Sequence, residues 1–152
     1  MITFEAYYHN YFGERWDSLK QAMLTPHASF PLKTDAVEPY FMDTGSVLAG
    51  LMVAEALQNY IVANNQNTEY DTPIALLDAC SAPGGKALVL AHELRRRNIS
   101  FTLLANELSS NRRRRLKEVI DTHCDPTLRT AMTISGFDAA YAGSKKTELN
   151  RF

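Results

Sequence analysis

A short glycine turn followed by an acidic residue is the part of the sequence best suited to hold a ligand. Residues 81–86 read SAPGGK and lie between an apolar run, Ile74–Asp78, and a helical stretch, Lys86–Arg97. Such a turn lets the backbone approach a ligand, and the helix N-terminus beside it presents unpaired N–H groups. Glu107 ends the next apolar run, where a carboxylate can accept hydrogen bonds from both hydroxyls of a ribose. The pattern predicts a nucleoside-type ligand between the turn and the acid.

Two better-known glycine motifs do not fit this turn. A phosphate-binding loop needs a glycine five residues before the Gly-Lys pair and Ser or Thr after it, but these positions hold Cys80 and Ala87. A dinucleotide fingerprint needs the pattern G-x-G-x-x-G, whereas the sequence offers only Gly84 and Gly85. A nucleoside triphosphate and a dinucleotide are therefore both disfavoured.

Strand and helix patterns alternate through the second half of the chain, residues 71–152. Alternation of this kind, with right-handed crossovers, predicts an α/β fold in which helices pack on a parallel sheet. We predict strands at Ile74–Asp78, Ser100–Ala105 and Thr130–Ile134, and helices at Lys86–Arg97 and Ser109–Asp121.

The first half, residues 1–70, is predicted to be a helical segment. Apolar residues at helical spacing favour one or two helices over Phe4–Leu24, with a break near Gly13. Three prolines predict a loop over Thr25–Tyr40. Asp43 or Thr44 should then cap a helix. That helix has one apolar face and ends at Asn64–Asn67; the face comprises Val47, Leu51, Ala54, Leu57 and Ile61.

Composition excludes several other classes of protein. The 152 residues suit one domain, and their net charge of -1 gives no argument for a nucleic-acid or membrane partner. The longest apolar stretches, Val47–Leu57 and Ile74–Leu77, fall short of the roughly 18 to 20 residues that cross a bilayer, so no membrane span is expected. The first ten residues predict no secretory signal. Cys80 and Cys124 fit neither a disulfide scaffold nor a metal site, and indicate a reduced, intracellular setting.

Three segments resemble the first three cofactor motifs of the Sun-domain RNA cytosine-C5 methyltransferases, in the same order. They are DACSAPGGKA at 78–87, ANELSSNRRRRL at 105–116 and ISGFDA at 134–139. Upstream segments are similar to the branch that acts on mitochondrial ribosomal RNA. The resemblance implies a Rossmann-like fold of S-adenosylmethionine-dependent methyltransferases, with an incomplete parallel sheet after a helical N-terminal segment.

The resemblance also implies a cofactor site and partners. S-adenosylmethionine would lie on the turn, whose backbone N–H groups would hold its methionine end. Glu107 would take the ribose hydroxyls, Arg112 would support the site, and Asp138 would meet the adenine amino group. The partners would be rRNA or tRNA and ribosome or assembly factors, in the cytoplasm or alternatively in mitochondria. The implied turn residues are Cys80, Ser81, Ala82, Pro83, Gly84, Gly85 and Lys86.

The sequence departs from this family at the catalytic cysteines. Family members follow the third motif with Asp-x-Pro-Cys and later Thr-Cys, whose thiolate attacks C6 of cytosine. Here the sequence stops at Phe152, and neither Cys80 nor Cys124 matches the nucleophile. We therefore assign no catalytic residue and expect a truncated cofactor-binding half that is inactive alone. Two alternatives remain: a ribose 2'-O methyltransferase, which Lys86 disfavours, and a non-catalytic RNA or ribosome-assembly module.

Two further expectations concern surfaces. In the usual strand order 3-2-1-4-5, a sheet that ends after its third strand leaves Ile74–Leu77 with an open edge, which predicts self-association. Seven of the sixteen basic residues lie in Arg95–Arg97 and Arg112–Arg115. They are either phosphate contacts or solvated helix surfaces.

Overall fold

The computed structural model describes residues 2–26, 28–34, 38–63 and 73–144. Residues 142–144 are described by their backbone alone. Helix α1, Phe4–Phe12, and helix α2, Trp16–Leu24, flank a short 3-10 turn. Gly13 has a φ of +57° where α1 ends, which explains why the predicted break falls there. Trp16 is the buried residue of α2 and stacks on Tyr8 at a centroid distance of 5.1 Å. The predicted pair of helices is confirmed.

The predicted loop over Thr25–Tyr40 is wrong because it contains part of a β-hairpin. Strand β1, Phe30–Leu32, pairs antiparallel with strand β2, Tyr40–Met42. Pro31 lies within β1, and a two-stranded ribbon tolerates a proline because each strand has an unpaired outer edge. Prolines alone therefore did not exclude a strand at this position.

Helix α3, Thr44–Ala63, begins at the predicted cap. The Asp43 carboxylate accepts hydrogen bonds from the backbone N–H of Ser46 at 2.8 Å and from its hydroxyl at 2.7 Å. These bonds lower the pKa of Asp43. Gly50 and Ala54 are buried on the side of α3 that packs against the following helix. The predicted end at Asn64–Asn67 lies outside the described residues.

Helix α3 also corrects the exclusion of a membrane span. It is 20 residues long, and an 18-residue window within it has a mean hydropathy of 1.4, so it could cross a bilayer by length and composition. The prediction from the sequence considered only the apolar run Val47–Leu57 and was therefore wrong about the length of the apolar helix. A single such helix is weak evidence for a membrane protein. Glu55, near its middle, lies 2.8 Å from the guanidinium of Arg97.

Over residues 73–144, three parallel strands form a sheet in the order β3-β4-β5. They are β3, Ile74–Asp78; β4, Phe101–Asn106; and β5, Met132–Ser135. The helices between them are α4, Gly85–Arg96; α5, Ser110–His123; and α6, Pro126–Thr130. The core lies between the sheet and its helices and includes Leu94, Leu103, Leu116 and Ile120. This is an incomplete Rossmann-like α/β fold with a helical segment before it, as predicted.

The prediction for the last strand is wrong at its start. Thr130 closes α6 instead of opening a strand. Asp125 caps this short helix by accepting from the N–H groups of Thr127 and Leu128, and Pro126 suits its first turn. A five-residue helix is too short to show an apolar period, so the sequence did not indicate it.

Strand β3 has one open edge within the described part of the chain. It pairs there with β4 alone, and Leu77 is 40% exposed to solvent. This matches the edge from which self-association was predicted, and the association itself stays a prediction.

Candidate cofactor-binding site

The site lies where β3 and β4 end and where the chain leaves β5. In a parallel sheet these carboxyl ends share one edge, so loops distant in sequence meet there. They enclose a cavity of about 470 Å³, a size typical of small-molecule sites. Four of the predicted cofactor-binding residues line it: Cys80, Glu107, Arg112 and Asp138.

Glu107 is the buried acid of this cavity, with 5% of its surface exposed. One carboxylate oxygen, Oε1, accepts a hydrogen bond from the N–H of Ser109 at 2.9 Å. The other, Oε2, lies 3.4 Å from Nη2 of Arg112. An ionised carboxylate offers about four lone-pair positions, so positions remain for two further donors. Glu107 is thus held in place by its neighbours with acceptor capacity left over.

Arg112 connects the acid to the glycine turn. Its Nη2 donates to the carbonyl oxygen of Ala82 at 3.1 Å while it also approaches the Glu107 carboxylate. Because α5 begins just after β4, the first turn of this helix stands over the cavity. A single guanidinium therefore ties together the connections that follow β3 and β4.

Asn106 joins the three strand ends, and the sequence analysis missed it. Its side chain is 1% exposed and donates to the carbonyl oxygens of Ala79 and Phe137, each at 3.0 Å. Its Oδ1 accepts from the hydroxyl of Ser135 and the N–H of Phe137, also at 3.0 Å. The signal in the sequence was a polar amide at the end of a buried strand, directly before the acid.

The backbone of the turn is partly committed to the protein itself. The N–H of Cys80 donates to Oδ1 of Asp78 at 3.3 Å, and the N–H of Ser81 donates to the carbonyl of Asn106 at 2.8 Å. These two N–H groups are therefore already paired with acceptors of the protein itself, and the role of the turn in holding a methionine end stays a prediction. Gly84 caps α4 without a side-chain hydrogen bond.

Lys86 lies apart from the main cavity. Its ammonium donates to the carbonyl of Cys80 at 2.9 Å and lies 3.9 Å from Oδ2 of Asp78. It lines a separate cavity of about 190 Å³ beside α3 and β3. Lys86 therefore braces the turn from its other side, and Asp78 orients the turn through its hydrogen bond with the N–H of Cys80.

The remaining turn residues build the bend and do not line the cavity. Ser81, Ala82, Gly84 and Gly85 are buried, whereas Pro83 is exposed. Gly84 has a φ of +124°, and a Cβ there would lie 3.0 Å from Cγ1 of Val119. Helix α5 thus packs directly on the turn, which only glycine permits at this position.

Cys124 is not activated as a nucleophile by its surroundings. Burial raises the pKa of the Cys124 thiol to about 11, and its Sγ lies 3.6 Å from Sδ of Met132. A thiol with this pKa stays protonated near neutral pH. Cys80 is exposed at the cavity, within the turn itself. Among the described residues, no group of three or more His, Cys, Asp or Glu side chains could hold a metal ion.

Comparisons with known proteins add little to this geometry. No protein-family model matches the chain, and no curated protein matches it. A crystal structure of DszA carbon methyltransferase is 13% identical, with a TM-score of 0.47, over 64% of this chain and 24% of the other. An uncharacterized protein from Burkholderia thailandensis is 12% identical, with a TM-score of 0.38, over 64% of this chain and 37% of the other. The chain thus spans well under half the length of either protein, and the function proposed below rests on the site.

Proposed function

We propose that this chain binds S-adenosylmethionine and forms the cofactor-binding part of an RNA cytosine-C5 methyltransferase. The observation that carries the proposal is the buried Glu107 carboxylate at the carboxyl end of β4, beside the 470 Å³ cavity. An acid at this point of a Rossmann-like sheet is suited to bind the hydroxyls of a ribose. When bound, the cofactor supplies a methyl group on a positively charged sulfur.

The donors and acceptors of the cavity suit the parts of this cofactor. The Glu107 carboxylate accepts from the two ribose hydroxyls, while Arg112 and Ser109 keep it in position. Asp138 accepts from the adenine amino group through one oxygen, because its Oδ1 already accepts from the N–H of Ala140 at 3.0 Å.

The finer assignment to RNA and to the C5 position rests on the three ordered motifs of the sequence. On this proposal the substrate is rRNA or tRNA, with ribosome or assembly factors as partners. The preferred compartment is the cytoplasm, with mitochondria as the alternative. The proposal assigns the nucleophile to neither Cys80 nor Cys124.

A second candidate is a non-catalytic module that keeps the cofactor fold. It is favoured by the surroundings of the cysteines, since Cys124 has a raised pKa and Cys80 lies in the turn. Both candidates predict cofactor binding. They differ in whether a catalytic partner segment is needed for the biological role.

Titration calorimetry with S-adenosylmethionine tests the site directly. Glu107→Gln keeps the shape and one acceptor but removes the charge, and charge-assisted bonds are about twice as strong as neutral ones. With two such bonds of about 1.5 to 3 kcal/mol each, the Kd should rise about 10- to 100-fold. Glu118→Gln removes the same charge from an exposed position on α5 and should change the Kd less than about twofold.

Two outcomes would overturn the proposal. One is a wild-type chain that unfolds cooperatively yet releases no heat of binding with either S-adenosylmethionine or its demethylated product. The other is a Glu107→Gln variant whose affinity equals that of Glu118→Gln. Circular dichroism of both variants checks that the fold is kept.

A further inference from the structure

A second cavity, of about 670 Å³, lies along the outer edge of β5 and is strongly basic. Its walls are formed by one side of α5 and by α6, and its floor by Met132, Thr133 and Ile134 of the strand. We call it the α5–β5 groove. Of the described residues that line it, four are cationic and none is acidic; the cations are Arg113, Arg114, Lys117 and Arg129.

The helical period explains why these charges share one side. Ser110, Arg113, Arg114 and Lys117 are spaced by three, four and seven residues, which places them on one stripe of α5. The stripe is about 10 Å long at a rise of 1.5 Å per residue. The neighbouring arginines point elsewhere. Arg112 lines the cofactor cavity. Arg115 acts on Tyr40 of the hairpin: burial, the larger effect, raises the pKa of this tyrosine, whereas the charge of Arg115 lowers it.

Nearby acids neutralise only part of this charge. Asp121 pairs with Lys117 and accepts from Nε of Arg129 at 2.7 Å. Arg113 donates to the carbonyl oxygens of Glu107 and Leu108, which carry no charge. Among the residues that the structure describes, four cations and one carboxylate thus leave three net positive charges on this groove, in a chain whose total charge is -1. Such a local excess favours a polyanion.

We propose that the α5–β5 groove binds the phosphate backbone of RNA. Three of its four cations are arginines, whose planar forks bind phosphate oxygens in pairs. The groove also adjoins the cofactor cavity, because Ser109 lines the cavity and Ser110 lines the groove. The choice of RNA among polyanions rests on the proposed function. The positive charge of the groove does not depend on the proposed function.

Fluorescence anisotropy with a labelled oligouridine of about 20 nucleotides, over about 50 to 400 mM NaCl, tests the groove. Oligouridine contains no cytosine, so its binding is independent of methyl transfer. Three phosphate contacts predict that log Kd rises with log salt with a slope of about 2. Arg114→Gln should lower this slope by about 0.7 and raise the Kd about eightfold at the lowest salt concentration.

Arg115→Gln is the matched control. It removes the same charge from the adjacent, equally exposed position on α5, but on the side facing Tyr40. It should change the Kd less than about twofold. Because both side chains are exposed, neither variant should unfold, and thermal melting verifies this.

Three results would overturn the inference. The first is an equal loss of affinity in Arg114→Gln and Arg115→Gln, and the second is an affinity that does not change with salt. The third is tighter binding of an oligoglutamate of the same length, which would assign the groove to an acidic polypeptide. Cofactor titration of the same samples separates the two proposals, since loss of cofactor binding with intact oligouridine binding would refute only the proposed function.

Discussion

The substitution Asn106→Asp probes the junction of the three strand ends, because it replaces an amide by a carboxyl of the same shape. In the native chain Nδ2 donates to the carbonyl oxygens of Ala79 and Phe137, each at 3.0 Å. An ionised carboxyl at this place would face both oxygens without a donor between them. Since the side chain is 1% exposed, water cannot relieve the repulsion.

The cost has an upper bound, because the introduced carboxyl can take up a proton instead of remaining charged. Relative to an unfolded pKa of about 3.9, protonation costs about 4 kcal/mol at pH 7 and about 1.5 kcal/mol at pH 5. The protonated group restores one of the two donors, and the lost hydrogen bond adds about 1 kcal/mol. We therefore expect a loss in the free energy of unfolding of up to about 5 kcal/mol at pH 7 and about 2.5 kcal/mol at pH 5.

Urea denaturation followed by circular dichroism measures both values, each against the wild-type chain at the same pH. The sign follows from the folded state, which raises the pKa of the introduced carboxyl, so that stability is lost as the pH rises. Asn111→Asp is the control, because Asn111 is exposed near the start of α5 and should shift stability by less than about 1 kcal/mol. A loss in Asn106→Asp below about 1 kcal/mol at both pH values, or one that ignores pH, would refute the reasoning.

Two further predictions concern the turn and the hairpin. Gly84→Ala should cost about 1 to 3 kcal/mol more than Gly13→Ala in urea denaturation. Both glycines have a positive φ, but only at Gly84 would a Cβ also lie 3.0 Å from Val119, whereas at Gly13 nothing lies within 4 Å. Equal losses would contradict this account. Burial lowers the pKa of His123, so the folded chain favours its neutral form and should lose stability as the pH falls below about 6.5. His123→Gln should flatten this part of the stability curve between about pH 7.5 and 5.5, and an unchanged curve would count against it.

Local patterns predicted most of the second half correctly, because each strand and helix there carries its own period. The strand Ile74–Asp78 agrees residue for residue, and the helix predicted at Lys86–Arg97 occurs at Gly85–Arg96. The failures have a common cause. The hairpin strand Phe30–Leu32 and the helix Pro126–Thr130 are too short to show a period, so contacts elsewhere in the fold determine them.

The side-chain contacts of the first half were the hardest to predict. His123, the last residue of α5, is half-buried. Its Nδ1 lies 3.2 Å from the hydroxyl of Thr34, and its ring lies 5.2 Å from that of Tyr40. These partners lie more than 80 residues away along the chain, and no pattern within one helix indicates such a contact.

The amino-acid sequence by itself determined the alternation of strands and helices, the glycine turn before α4 and the acid that follows β4. These features depend on residues close together in the chain. Only the tertiary structure decided that Glu107, Arg112 and Asp138 share a cavity while Lys86 lies outside it. It also decided where four consecutive arginines lie: Arg112 at the cofactor cavity, Arg113 and Arg114 in the α5–β5 groove, and Arg115 towards Tyr40 of the hairpin. The reason is geometric: the period of a helix sets which residues share a face, but only its docking on the sheet decides what that face meets.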